Sequence, residues 1–155
     1  MLNIRNSAKA IILESNNILL TKNEDLEGYF YLFPGGGQEH EETLTDAIKR
    51  ECVEEIGQVI TVLELLHVRE YIGKNHERAE FDSGFHQVDF FFYCQLEETF
   101  DSGAVPINPD SHQVGVEWIS LEELENLRVY PKEICKHILA RNSGGKTKVY
   151  VGDVN

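Results

Sequence analysis

The chain has 155 residues, 41% of them hydrophobic and 26% charged, with 27 acidic side chains against 14 lysines and arginines and a formal net charge of −13. That length suits one domain, spanning 1–155, with a real core. The sign of the charge argues against binding to a nucleic-acid duplex or an anionic membrane, since both need basic surface, but leaves anionic small molecules open because a bound divalent cation inverts the local field.

Taken in chain order, residues 8–13 and 18–21 flank Glu14-Ser15-Asn16-Asn17 and read as a strand–turn–strand hairpin. Residues 23–28 are polar and loop-like, and residues 29–33 form a short aromatic strand stopped by Pro34 and three glycines. A helix is expected from Thr43, which with Asp46 forms a capping box, to Gly57, a C-terminal stop. Residues 59–68 and 88–96 read as apolar strands. The charged stretch between them, 69–87, reads as a long loop or extended hairpin tip. Residues 101–110, with two prolines, form a second loop, and 114–119 a short strand. Ser120-Leu121-Glu122-Glu123 opens a short helix, Pro131 sits in the first turn of a last helix to about 141, and 148–151 add a strand or tail. Strands before, between and after a central helix predict an α/β fold with a mixed sheet and helices against it.

Cys52, Cys94 and Cys135 are widely spaced and odd in number, the pattern of reduced thiols. The first residues lack an apolar leader and no apolar run reaches membrane-span length, so the expectation is a cytoplasmic protein.

The helix carries the chemistry. Glu51, Glu54 and Glu55 stand at i, i+3 and i+4, a spacing at which like charges destabilise a helix. At about 100° per residue from Leu44, Ile48 falls near 40°, Glu55 near 20° and Glu51 near −20°. Two glutamates therefore share the direction of the apolar face, with Glu54 at its margin. A helix that only had to pack would place them opposite, because burying a bare carboxylate costs several kcal/mol. A solvated acidic face or shared protons would be alternatives, but a cation offsets the repulsion better. A row of hard oxygen donors suits Mg²⁺ or Mn²⁺ rather than zinc. The glycine run just upstream lets the backbone approach a ligand closely.

Together, Gly36, Glu42, Arg50-Glu51, Glu54-Glu55 and Gly57 resemble the Nudix box, Gx5Ex7REUxEExGU, of the MutT-like Nudix hydrolases. Five residues separate Gly36 from Glu42 and seven separate Glu42 from Arg50. Cys52 and Gln58 stand where the pattern has aliphatic residues, a change that affects packing. Leu32-Phe33-Pro34-Gly35-Gly36 and Glu117-Trp118-Ile119 extend the resemblance over most of the chain. It implies an α/β/α sandwich around a mixed sheet and metal-dependent hydrolysis of a nucleoside diphosphate linked to another group. Gly36, Glu51, Glu54 and Glu55 would hold Mg²⁺ or Mn²⁺, and Glu51, Glu54 and Arg50 would be catalytic, with Arg50 orienting the glutamates and bridging to Glu42. The alternative is a catalytically silent nucleotide-binding or regulatory protein of the same fold. An intact glutamate set favours the enzyme.

Members of the family often draw a further acid or base from outside the box. Asp110 and His112 are the candidates before Trp118, in competition with Glu77, Glu80 and Asp82. For substrate, Arg5, Lys9 and Arg69 suit phosphate, and Tyr29, Phe30, Tyr31, Phe81 and Phe85 suit a base, with Arg5, Tyr31, Arg69 and His112 taken as the binding set. The family's coenzyme A and ADP-ribose marks are both missing, the latter a proline expected near Lys74. The partner is a small-molecule nucleotide, and self-association into a homodimer is left open.

Overall fold

The structure is a computed structural model and describes residues 2–155. Nine strands make a mixed sheet: β1 (Arg5–Glu14), β2 (Asn17–Asp25), β3 (Gly28–Leu32), β4 (Gly35–Gly37), β5 (Ile60–Ile72), β6 (His86–Leu96), β7 (Gln113–Ser120), β8 (Val129–Tyr130) and β9 (Tyr150–Asp153). The helices are α1 (Leu44–Ile56), the single turn α2 (Ala79–Asp82) and α3 (Lys132–Asn142). The main path runs β8-β3-β2-β1-β6-β5-β9, with β4 on β1 and β7 on β2. Parallel pairing of β1 with β6 beside antiparallel β5 and β6 makes the sheet mixed.

Alternation along β1 sets the layers. Ala8, Ala10 and Ile12 pack with Ala47, Ile48, Cys52 and Ile56 of α1. Ile11, on the other face, packs with Ile134, Cys135 and Ile138 of α3. An α/β/α sandwich results. All three cysteines are free and buried, as befits small apolar residues in these cores. No helix among the described residues is long and apolar enough to cross a membrane.

Several sequence expectations shift. The polar stretch after Thr21 remains strand as far as Asp25, because the Asn23 amide is satisfied by the Thr21 carbonyl and hydroxyl and tolerates full burial. The charged segment 69–87 is strand at both ends, leaving only 73–85 as a tip, since Arg69 and Asp89 are cross-strand partners that neutralise each other. The glycine run is not merely a stop: Gly35, Gly36 and Gly37 pair with Lys9, Ala8 and Ser7 as β4. The segment after Ser120 is a single 3₁₀ turn, Leu121–Glu123. Pro131 is extended and precedes α3 rather than entering its first turn. The last strand runs Tyr150–Asp153, parallel to β5.

Candidate active site

Helix α1 begins as its residues dictate. Thr43 is the N-cap, its hydroxyl accepting from the Asp46 N–H at 3.1 Å, and Gly57 ends the helix in the left-handed region at φ 66°. These ends fix the angular positions of the glutamates. Glu55 is buried, at 4% exposure, while the side chains of Glu51 and Glu54 are 14% and 28% exposed. The order follows their angles to the apolar stripe.

Arg50 organises the group. Its Nε donates to Glu42 Oε1 at 2.8 Å and its Nη2 to Glu42 Oε2 at 3.0 Å, a bidentate pair. Nη2 also donates to the Gly37 carbonyl at 3.0 Å, and Nη1 donates to Glu51 at 3.0 Å and Glu54 at 3.4 Å. The guanidinium thus ties β4 to the helix through every donor it has. Beside it, the Glu42 carboxyl is held below its ordinary range. Glu51 lies so close to the glycine strand that a Cβ on Gly36 would sit 2.4 Å from its Oε1, so a side chain there would displace the Glu51 carboxylate.

Glu55 has a different environment. Its Oε2 accepts from the Gly35 N–H at 3.0 Å. Burial pushes its carboxyl up to about 8, against the Gly35 hydrogen bond and the nearby Lys9 charge, with Asp110 and Glu51 adding like-charge repulsion. Asp110 is therefore within electrostatic reach of the helix. Glu77, Glu80 and Asp82 instead line a cavity elsewhere. His112 is exposed, its carbonyl accepting from the Glu24 N–H at 3.0 Å.

The carboxylates are held by Arg50 and Gly35, and no three His, Cys, Asp or Glu among the described residues converge as a metal-binding group. The donor chemistry nonetheless fits a hard divalent cation. It consists of three carboxylates on one helical turn beside a glycine strand, and one of them, Glu55, is buried with only the Gly35 N–H and the nearby Lys9 charge set against the cost of burial.

A cavity of about 750 Å³ lies between the sheet, the β2–β3 turn and the 73–85 tip. Lys9 lines it and donates to the Gly35 carbonyl at 3.2 Å, joining it to the glycine strand. Arg69 also lines it, its Nε donating to Asp89 at 2.7 Å and its Nη1 to the Val154 carbonyl. Of the other expected contacts, Arg5 lies against Gly37, where a Cβ would be 2.6 Å from its Nη2. Tyr31 is a core residue whose hydroxyl donates to Glu117 at 3.3 Å. Neither Tyr31 nor His112 lines the cavity. Sequence reasoning missed Asp89, which lies in an apolar run, and Gln87, at the end of the charged stretch; both are placed by cross-strand register.

Because Asp89 is 1% exposed, Arg69→Met should cost about 3–5 kcal/mol by leaving that carboxylate buried without its cation. Urea unfolding measures it, and native stability would contradict the pairing.

The NUDIX domain family model matches residues 4–137, and the chain belongs to that family. A comparison with curated proteins by sequence gives no match. Among solved structures, a NUDIX hydrolase from Nitrosomonas europaea is similar at 20% identity and TM-score 0.71, covering 93% of this chain and 92% of that one. An ADP-ribose pyrophosphatase from Streptococcus suis is 18% identical with TM-score 0.63, covering 99% and 100%. A UDP-X diphosphatase is 22% identical with TM-score 0.70, covering 97% and 68%. At these identities they show the shared fold.

Proposed function

We propose that this chain, acting as one domain, is a pyrophosphohydrolase that cleaves the phosphoanhydride bond of a nucleoside diphosphate linked to another group. The observation that carries the reading is Arg50, whose five hydrogen bonds bind Glu42, Glu51, Glu54 and the Gly37 carbonyl into one rigid unit beside Glu55. A purely structural helix has no use for so many carboxylates drawn to one cation. The names of two structural neighbours, an ADP-ribose pyrophosphatase and a UDP-X diphosphatase, support the reaction class.

Glu51, Glu54, Glu55 and the Gly36 carbonyl would hold Mg²⁺ or Mn²⁺, which when bound neutralises the diphosphate and lowers the pKa of water. Lys9 and Arg5 flank the glycine strand and would meet phosphate oxygens. Glu51, steered by Arg50 and lying against Gly36, takes the proton of the attacking water. Water oxygen bonds to one phosphorus, the bridging P–O bond breaks, and the other phosphate leaves with the bond's electrons. Asp110 adds a further carboxylate near Glu55.

The test is a screen of nucleoside triphosphates, sugar nucleotides, dinucleoside polyphosphates and capped RNA, with Mg²⁺, Mn²⁺ or a chelator. Cleavage of at least one class, abolished by the chelator, is expected. No cleavage of any class would overturn the proposal in favour of a nucleotide sensor.

A further inference from the structure

Residues 73–85 form the tip between β5 and β6, and Glu77, Arg78, Glu80, Phe81, Asp82 and Phe85 of this tip line one side of the 750 Å³ cavity. Only Gly73 of the tip is buried, so apolar packing does not fix it in place. Its backbone bonds mostly to itself: the Gly73 N–H donates to the Phe85 carbonyl, and the Phe85 N–H to the Asp82 carbonyl. At its root, the Tyr71 hydroxyl donates to Asp82 at 2.9 Å and the Tyr71 ring stacks on His76 at 4.9 Å. Among the described residues, every other hydrogen bond that leaves the tip goes to one segment, the end of β9.

That end is built to grip. Asp153 Oδ1 accepts from the Ile72 N–H at 2.9 Å and from His76 Nε2 at 2.6 Å, and Asp153 Oδ2 accepts from Asn75 Nδ2 at 2.7 Å. Hydrogen bonds to an ionised acceptor are stronger than neutral ones. Asn155 Nδ2 donates to Glu77 at 3.0 Å, while Arg69 Nη1 holds the Val154 carbonyl and the Asn155 Oδ1. At the near end, buried His67 donates from Nδ1 to the Lys148 carbonyl at 2.6 Å. Between these two anchors the strand is lightly held. It has three register pairs at the sheet's edge, with an irregularity after Val68, and no residue from 141 to 155 is buried. Val151 is its apolar contact with the core. Held by polar bonds rather than by burial, β9 can detach without disturbing either core. It also lies outside residues 4–137, the span of the family match.

We propose that residues 150–155 are a detachable strap that clamps the 73–85 tip against the cavity, with Lys148 as its hinge and Asp153 as its latch. Docking of the strap sets how often that wall of the cavity is in place, and so how tightly the protein holds its substrate. The strap stands on the hydrogen bonds alone, whereas its effect on substrate rests on the hydrolase reading above. The cavity is continuous with the candidate site, because Lys9 lines it and donates to the Gly35 carbonyl. Asp153 is a positioning residue in this scheme: it touches the root and flank of the tip and none of the α1 glutamates. If losing the latch leaves the tip docked about a tenth of the time, apparent affinity falls about 10-fold with the chemistry at α1 unaltered.

The experiment is amide hydrogen exchange on the native protein and on Asp153→Ala, followed by KM and kcat for the nucleotide cleaved best in the screen. In the native protein, peptides covering 73–85 and 148–155 should exchange on one timescale, faster than those of β1 and β6. Asp153→Ala should speed exchange of the Ile72 and Val154 amides and of the tip at least about 10-fold, leaving β1 and α1 unchanged. Strap peptides as protected as β1 in the native protein, or a tip unaffected by Asp153→Ala, overturns the strap. Loss of the whole fold in Asp153→Ala, seen by circular dichroism, overturns it too, because the latch would then serve the entire domain. In the kinetic arm KM should rise about 10-fold with kcat changed less. A loosened tip with native KM overturns the control of substrate binding, and a fall in kcat alone does the same. No hydrolysis by either protein overturns the hydrolase reading, and the exchange data then decide the strap by themselves.

Discussion

Glu54→Gln is expected to lower kcat by at least about 100-fold while leaving the fold intact. The stability side follows from its surroundings. Glu54 is the most exposed of the three glutamates and holds Arg50 only at 3.4 Å, a pair of the i, i+4 kind worth about 0.5 kcal/mol or less. Arg50 keeps its bidentate grip on Glu42, its bond to Glu51 and its bond to Gly37. Glutamine preserves the side chain's shape and loses only its charge. A steady-state assay beside a urea melt separates the two effects. Native turnover in the variant would contradict the role given to α1, and a large drop in stability would mean that Glu54 serves the fold.

A stability effect of several kcal/mol is expected at Gly35. Its φ is +142°, and a Cβ there would sit 2.0 Å from the Ala8 carbonyl oxygen and 2.9 Å from Lys9 Cα. Both are backbone atoms of β1, which is central in the sheet, so neither can move aside as a flexible side chain would. Gly35→Ala should cost about 3–5 kcal/mol and detach β4 from β1. It would also withdraw the N–H that Glu55 accepts. Gly28→Ala is the control: its φ is +107°, but nothing lies within 4 Å of the added Cβ. It should cost about 1 kcal/mol from backbone strain alone. Equal losses for the two variants by urea unfolding would contradict the close approach of β4.

What was legible in the sequence is local. Thr43 and Gly57 bound α1 within a residue of its ends because caps act over one turn, and the 100° rotation per residue places Glu55 and Glu51 toward the buried face with Glu54 at its margin. The Glu42–Arg50 bridge was implied by the resemblance and not by local rules, since Glu42 lies before the Thr43 cap and outside the helix. Non-local pairing is where the reading falls short. Arg69 looks like loop because its neutralising partner is Asp89, twenty residues on, reached only when β5 and β6 align. Gly35, Gly36 and Gly37 carry no side chains to signal a strand, yet β1 supplies their hydrogen-bond partners. Asp110 could not be ranked against Glu77, Glu80 and Asp82 from charge alone. The path of the 101–110 loop brings Asp110 near Glu55, with the Asn108 N–H donating to the Glu54 carbonyl at 2.9 Å.

The central claim, cleavage of a phosphoanhydride by water at the α1 glutamates, is tested most directly by mass spectrometry of the products formed in ¹⁸O-labelled water. Two phosphate-bearing products are expected from the preferred nucleotide, one of them carrying a single ¹⁸O, formed with Mg²⁺ or Mn²⁺ and not with chelator. Products without label, or no products from any nucleotide class with either cation, would contradict it.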